Sequence, residues 1–375
     1  MISFARTNTS PISQWWWTVD RWLLGALMIL VTIGIFMSFA ASPAVAETIG
    51  NSPYYFVKRH LMLLPVALSL MIGISMLHPR EIKLLAIGLL IGAIILLIMT
   101  FFIGIEIKGA RRWLSIAGFS LQPSEFIKPA FAVVAAWLFS EQYKRRGFRG
   151  NLFAIGAWLV IFGLLVLQPD LGMAFVVSCV WGFQFFLTGL PMMLVIGLGL
   201  AAIGLAFSAY FLFPHFASRI DRFLDPNTGD TYQVTRSMDA FVNGGFMGVG
   251  PGEGTVKATI PDVHADFVFA VTGEEFGLIP CLFVVAVFAF IILRGLKRLR
   301  GESDLFILLA TAGLLTQFTL QAVVNLASTL NLMPTKGMTL PFISYGGSSL
   351  LAISIGTGML LALTRRRPKS GEYMA

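Results

Sequence analysis

The stretch Pro261-Asp-Val-His-Ala-Asp-Phe267 joins two kinds of sequence. Before it run roughly fifty polar, charged and Gly-rich residues, Pro214 to Asp266, and after it begins an apolar run, 267 to 293, long enough to cross a bilayer. Irregular backbone exposed to lipid cannot satisfy its N–H and C=O groups, so the polar stretch must lie in water or line a protein cavity beside the membrane. It is the place where chemistry is expected.

The rest of the chain supports that division. Hydrophobic residues make up 57% of the 375 and charged residues 12%, with a mean hydropathy of +0.81. A soluble domain of this size could not keep so much apolar surface from aggregating. Ten runs suit membrane helices: 22–41, 61–77, 83–104, 124–140, 152–167, 171–187, 191–213, 267–293, 305–329 and 341–364. The expected fold is therefore all-α, a polytopic membrane bundle of about ten transmembrane helices with a large external loop, 214–266, between helices 7 and 8. No linker divides it, so residues 1–375 are read as one domain, with tails 1–20 and 365–375. Cys179 and Cys281 fall in apolar runs and suggest core positions, neither a disulfide framework nor a metal cluster.

Of the 27 Lys and Arg residues, 16 cluster beside the spans on one face, including Lys144-Arg-Arg146, Arg294, Arg298 and Arg365-Arg-Arg367. By the positive-inside rule that face is cytoplasmic and holds both termini. The other eleven, Lys58, Arg59, Lys108, Arg111, Arg112, Lys128, Arg219, Arg222, Arg236, Lys257 and Lys336, fall on or near the outer face, where an anionic ligand would explain them. The net charge of +8 is accounted for by the membrane faces, and no nucleic-acid partner is expected.

Three acids stand at outer helix starts: Glu125 in Gln122-Pro-Ser-Glu125, Asp170 in Gln168-Pro-Asp170, and Asp266. Ser124 as a helix cap, Glu125 as a dipole partner and a Glu125–Lys128 pair would explain the first motif structurally. Lys128, however, lies a turn into the membrane, where an ionisable group points to function. Asp266 has His264 and Asp262 just before it and Glu274 and Glu275 after it, a neighbourhood that favours catalysis over a dipole role. On a continuous helix Glu274 would lie about 80° from Asp266 and could share its cavity. Arg111-Arg-Trp113 with Arg219 and Arg222 suits a diphosphate with a lipid or sugar alongside. The Gly-rich Asn243 to Gly254 follows no strand, so a flexible or re-entrant loop is expected there, not a nucleotide cradle. Lys336 and Ser344 stand at the outer start of the last span, and Gln321 and Asn325 face inward at i,i+4.

Taken in order, Ala110-Arg-Arg-Trp-Leu114, Gln122-Pro-Ser-Glu125 with Lys128, Gln168-Pro-Asp-Leu-Gly172, Gly248-Val-Gly250, His264-Ala-Asp-Phe267 with Glu274-Glu275, and Pro341-Phe-Ile-Ser-Tyr-Gly-Gly-Ser-Ser349 resemble the SEDS family of bacterial peptidoglycan polymerases. The similarity covers about residues 20–365, and Pro334-Thr-Lys-Gly337 is more similar to the division branch than to the elongation branch. Ala265 departs from the usual Thr, and Pro251-Gly-Glu-Gly254 from the commoner loop.

The resemblance implies polymerisation of lipid II on the outer face of the cytoplasmic membrane, at the division septum, beside a class B penicillin-binding protein and other division proteins. Asp266 would be general base, with Glu125 and Lys128 assisting. Arg111, Arg112, Trp113, Arg219, Arg222, His264, Lys336 and Ser344 would meet substrate or the departing undecaprenyl diphosphate. Gln122, Ser124, Asp170 and Glu274 would support them. No cofactor is required by the sequence, although Mg2+ or Mn2+ is compatible with the chemistry. The competing readings are a lipid II flippase and a noncatalytic division scaffold.

Overall fold

A computed structural model describes residues 10–48, 50–107, 110–116, 118–189, 192–212, 217–218, 220–221, 232–334 and 337–366. Each of the ten expected apolar runs contains helix, although the last becomes helical only at Gly347 and 267–293 is interrupted. The first helix, α1 (Pro11–Thr18), is a short piece of eight residues, followed by α2 (Arg21–Thr48), α3 (Tyr55–Ser75) and α4 (Pro79–Ile103). Next come α5 (Pro123–Lys144), α6 (Gly150–Leu167), α7 (Leu171–Leu187) and α8 (Met192–Leu212). The chain ends with α9 (Tyr232–Gly244), α10 (Val268–Phe276), α11 (Leu278–Leu299), α12 (Leu305–Thr329) and α13 (Gly347–Leu363). Six of them, α2, α3, α4, α6, α11 and α12, are long and apolar enough to cross a membrane on those grounds alone.

Helix α5 owes its central place to composition. Its run Ala130-Phe-Ala-Val-Val-Ala-Ala136 is small enough for close helix approach, and all seven residues are buried. It packs on α4, α12 and α13, while α13 also lies along α3. The outer helices turn Leu, Ile and Phe outward, as Phe102, Leu159 and Leu293 show. In lipid such exposure carries no hydrophobic cost, so the bundle is held by packing and by internal polar contacts.

Two connections hold more structure than a loop. Between α4 and α5 the chain makes a three-stranded antiparallel sheet, β1 (Ile105–Ile107), β2 (Ala110–Ile116) and β3 (Phe119–Leu121), in the order β1-β2-β3. Its β-branched residues and the Gly118 turn (φ 81°) favour pairing over coil. The long loop 214–266 contains α9 and a 3-10 turn, Val256–Thr259, and buries Lys257, Ile260 and Val263.

The run 267–293 is not one helix. It breaks at Gly277, whose φ of 83° suits glycine, and an added Cβ would lie 2.5 Å from both Gly248 N and Phe246 O. The Gly-rich segment crosses this break: Val249 N donates to Glu274 O, Gly250 N to Glu275 O and Leu278 N to Gly245 O, at 3.0, 3.0 and 3.1 Å. That segment is thus a docked clamp and not a free loop.

Candidate active site

One cavity of about 510 Å3 opens where the start of α3, the sheet, the start of α5 and the segments 262–266 and 337–349 converge. Asp266, Glu125 and Asp262 line it with Arg59, His264 and Trp113. The Asp266 backbone is fixed from two sides. Its N–H donates to Asp262 O at 3.0 Å, and its carbonyl accepts from Asn325 Nδ2 at 2.9 Å. The same Asn325 amide holds Met338 O at 2.6 Å, tying the two loops that flank the carboxylate. Gly337 (φ 57°) gives that carboxylate room, for a Cβ there would stand 3.2 Å from Asp266 Oδ2.

Below Asp266 runs a buried polar chain. Lys128 Nζ lies 2.8 Å from Glu125 Oε2 and donates to Gln321 Oε1 at 2.8 Å. The ammonium is thus held between the Glu125 carboxylate and the Gln321 amide oxygen. Gln321 Nε2 passes the network to Thr339 Oγ1 (3.2 Å) and Ser349 Oγ (3.1 Å), which are themselves 2.6 Å apart. A lysine buried this deeply needs both a counter-charge and a hydrogen-bond acceptor, and here it has them.

The opposite wall is aromatic. The His264 ring stacks on Phe56 at 4.1 Å and leans on Tyr345 at 5.5 Å, while the Arg59 guanidinium lies 4.9 Å over Tyr55. Burial lowers the His264 pKa to about 4, with Asp262 opposing, so the ring is neutral at physiological pH. Gln122 N donates to Ser348 Oγ at 2.9 Å, and Ser348 Oγ donates to Ser120 O at 3.1 Å, seating the sheet on α13.

Several expected site residues are employed elsewhere. Arg111 pairs with Glu106 at 3.3 Å on an exposed face, and Arg112 donates to the carbonyls of Gln168 and Pro169 beside Asp170. Neither lines the cavity, because unsatisfied carbonyls at the end of α6 and a cross-strand carboxylate lie nearer than the substrate space. Asp170 caps α7 through Met173 N at 3.4 Å. Burial pushes its carboxyl up, with Arg112 opposing.

Ser124 does not cap α5; it sits inside the first turn after Pro123, and its buried Oγ has no hydrogen-bond partner. Ser344 Oγ accepts from Leu340 N at 2.9 Å and closes a turn, leaving Ser348 and Ser349 to face the cavity. Glu274 does not share the cavity either. It takes Asn243 Nδ2 at 3.1 Å, Val256 N at 2.7 Å and Lys257 N at 2.8 Å, and so anchors the long loop that precedes it. Glu275 beside it pairs with the Lys257 ammonium. Arg219, Arg222 and Lys336 lie outside the described residues.

Arg59, Tyr55, Phe56, Tyr345 and Thr339 are cavity residues that the sequence did not single out, although Arg59 stood among the eleven outer cations. Its spacing of four from Tyr55 on a helix was the available signal. Among the described residues no group of three or more His, Cys, Asp and Glu side chains is placed to hold a metal ion.

A family model described as "Cell cycle protein" (FtsW, RodA, SpoVE) matches residues 20–369. The chain is 45% identical over 376 residues to the probable peptidoglycan glycosyltransferase FtsW of Caulobacter vibrioides, covering 99% of this chain and 96% of that protein. It is 34% identical to the protein of the same name from Trichlorobacter lovleyi, over 92% and 93% of the two chains. In structure it is similar to a chain from a study of how a peptidoglycan synthase complex coordinates polymerization and crosslinking. The TM-score is 0.76 at 29% identity, over 92% of this chain and 97% of the other. The rod shape determining protein RodA of Thermus thermophilus gives 0.69 at 26% identity, over 93% and 97%. With nearly its whole length matched in sequence and fold, this multi-pass membrane chain belongs to the FtsW/RodA/SpoVE cell cycle protein family.

Proposed function

We propose that the chain is a peptidoglycan glycosyltransferase that joins lipid II units into β-1,4 glycan at the outer face of the cytoplasmic membrane during septal wall synthesis. The observation that carries this reading is the Asp266 carboxylate, backbone-clamped at the mouth of a cavity it shares with Glu125 and Arg59. The 4-hydroxyl of the acceptor's GlcNAc attacks the anomeric carbon of the donor's MurNAc. As the new C–O bond forms, the bond to the diphosphate breaks, Asp266 takes the hydroxyl proton, and undecaprenyl diphosphate leaves. Attack opposite the leaving group inverts the anomeric centre.

Arg59 is assigned to the charge that grows on the diphosphate, together with Lys336, adjacent in the chain to Gly337, and Arg219 and Arg222 of the external segment. Lys128 acts through Glu125, whose carboxylate it neutralises and orients. Trp113 and the Phe56–His264 stack offer faces to sugar rings. A divalent cation accompanying the diphosphate would add to the same neutralisation, and turnover with and without a chelator tests for it.

Polymerisation is favoured over carriage across the membrane by the wall beneath the cavity. Beside Gln321 lies a separate hollow of only about 10 Å3, lined by Gln317 and Thr357 as well as Leu314, Phe318, Ile353 and Leu360, too small to pass a sugar. A class B penicillin-binding protein and other division membrane proteins are the expected partners, in line with the synthase complex that this fold is similar to. The test is a polymerase assay with purified protein, lipid II and that partner. Glycan product that Asp266→Asn leaves undiminished would remove the assignment of the base. Loss of partner co-purification in that variant, with turnover intact, would instead favour the scaffold reading.

A further inference from the structure

A second charged cavity lies at the other end of the bundle. The directions of the helices place it there. α11 runs from the break at Gly277 to Arg294 and Arg298, while α12 runs back from Asp304 to Asn325 at the Asp266 loop. This hollow of about 270 Å3 is walled by Trp17, Arg21, Trp22, Arg294, Arg298 and Arg366, with Asp20 at its base. It shares Arg298 and Arg366 with an adjoining hollow of about 170 Å3 that adds Arg300, Arg365 and the acid Glu302.

The site is built, not a chance gathering of surface charge. Asp20 is fully buried. One of its oxygens caps α2 through the N–H groups of Trp22 (3.1 Å) and Leu23 (3.3 Å), and the other receives Nε of Arg294 at 2.9 Å and Nε of Arg298. Its single negative charge is therefore spent inside the protein, against four guanidinium groups. Arg294 and Arg298 bind it with one N–H each, and their forked Nη groups make no hydrogen bond among the described residues. Arg21 is held by its stack on Trp16 and Trp17, at 5.0 and 4.6 Å. Helix α1 is pinned beneath by Trp15 Nε1 donating to Ser75 Oγ at 2.8 Å.

We propose that this cavity binds the headgroup of an anionic phospholipid, its phosphodiester on Arg21, Arg294, Arg298 and Arg366 and its glycerol and upper acyl chains against Trp17 and Trp22. Guanidinium forks match phosphate oxygens, and basic pockets between membrane helices at the cytoplasmic face suit such headgroups. The tryptophans choose a lipid over a soluble anion. Trp22 is 69% exposed and Trp17 38%, and both flank the mouth where amphipathic rings sit at headgroup depth. A small soluble anion would make no use of the exposed Trp22 ring. The inference is independent of the polymerase reading, because it concerns the opposite face.

The full chain, purified in neutral detergent, is exposed to equal amounts of phosphatidylglycerol and phosphatidylethanolamine and examined by native mass spectrometry. The wild type should keep one phosphatidylglycerol under activation that strips phosphatidylethanolamine. Arg21→Gln with Arg366→Gln, which spares the arginines on Asp20, should lower that retention by about tenfold or more, as expected for removing two interfacial cations. Arg146→Gln with Arg149→Gln, exposed cations that line neither hollow, should leave it unchanged. Equal retention of both lipids by the wild type, or equal loss in the two double variants, would overturn the site. Displacement of the lipid by inorganic phosphate would overturn its assignment to a phospholipid.

Discussion

Replacing Lys128 by Met removes the ammonium from the floor of the candidate active site while keeping a stem of similar length. The ion pair with Glu125 spans 2.8 Å, and the two side chains are 1% and 8% exposed. At an effective dielectric of about 20, two unit charges at that separation attract by about 6 kcal/mol before desolvation is counted. Much of that is offset by the loss of water around both groups, and removing one partner of such a pair costs about 3–5 kcal/mol because the other remains charged and buried. Lys128→Met and Glu125→Gln should each fall in that range. The double variant leaves two neutral groups, so it should be less destabilised than their sum by at least about 2 kcal/mol. Unfolding in sodium dodecyl sulfate, followed by tryptophan fluorescence, measures all four corners of the cycle. Additivity within about 0.5 kcal/mol would refute the pairing as the reason for Lys128 at this depth.

Asp266→Asn should lower glycan polymerisation by roughly 10²–10⁴-fold, about 3–5 kcal/mol in barrier, with unfolding in detergent unchanged. Gly277→Ala forces a Cβ to within 2.5 Å of two backbone atoms at a φ of 83°, and should cost about 1–3 kcal/mol or more in the same unfolding assay. His264, lowered to about 4 from 6.5 by burial, binds its proton later in the folded than in the unfolded chain as pH falls. Its stabilising effect is thus complete above pH 6.5 and lost between 6.5 and 4, to the extent of at most about 3 kcal/mol. His264→Phe, which keeps the stack on Phe56, should flatten that part of the pH–stability curve relative to the wild type.

The apolar runs were readable because a bilayer imposes length and composition on each span independently of its neighbours. Asp266, Glu125 and Lys128 could be singled out as well, Lys128 by its depth in an apolar run and the two acids by their places beside helix starts. What the sequence concealed depends on long-range geometry. The rotation argued for Glu274 assumed one helix from Asp266 onward, but Asp266 lies in a turn and α10 begins at Val268. Its true partners, the N–H groups of Val256 and Lys257, leave no mark in local spacing. Arg112 was expected to meet the substrate, yet nothing in its neighbours told that the Gln168 and Pro169 carbonyls would take it. The sheet at 105–121 was hidden by its brevity. Glu274-Glu275 followed by Gly277 in an apolar run was the one available hint of the break.

The break at Gly277 carries an engineering consequence. A severed helix strands carbonyls in the middle of an apolar run, and in hydrocarbon each stranded carbonyl is a defect of several kcal/mol. Here the donors that quiet Glu274 and Glu275 come from Val249 and Gly250, residues that a topology diagram would draw as dispensable extramembrane sequence. Shortening that sequence would therefore not trim an accessory. It would uncap a break buried in the bundle, and the expected harvest is a protein that fails to fold or is degraded, before any question of turnover arises.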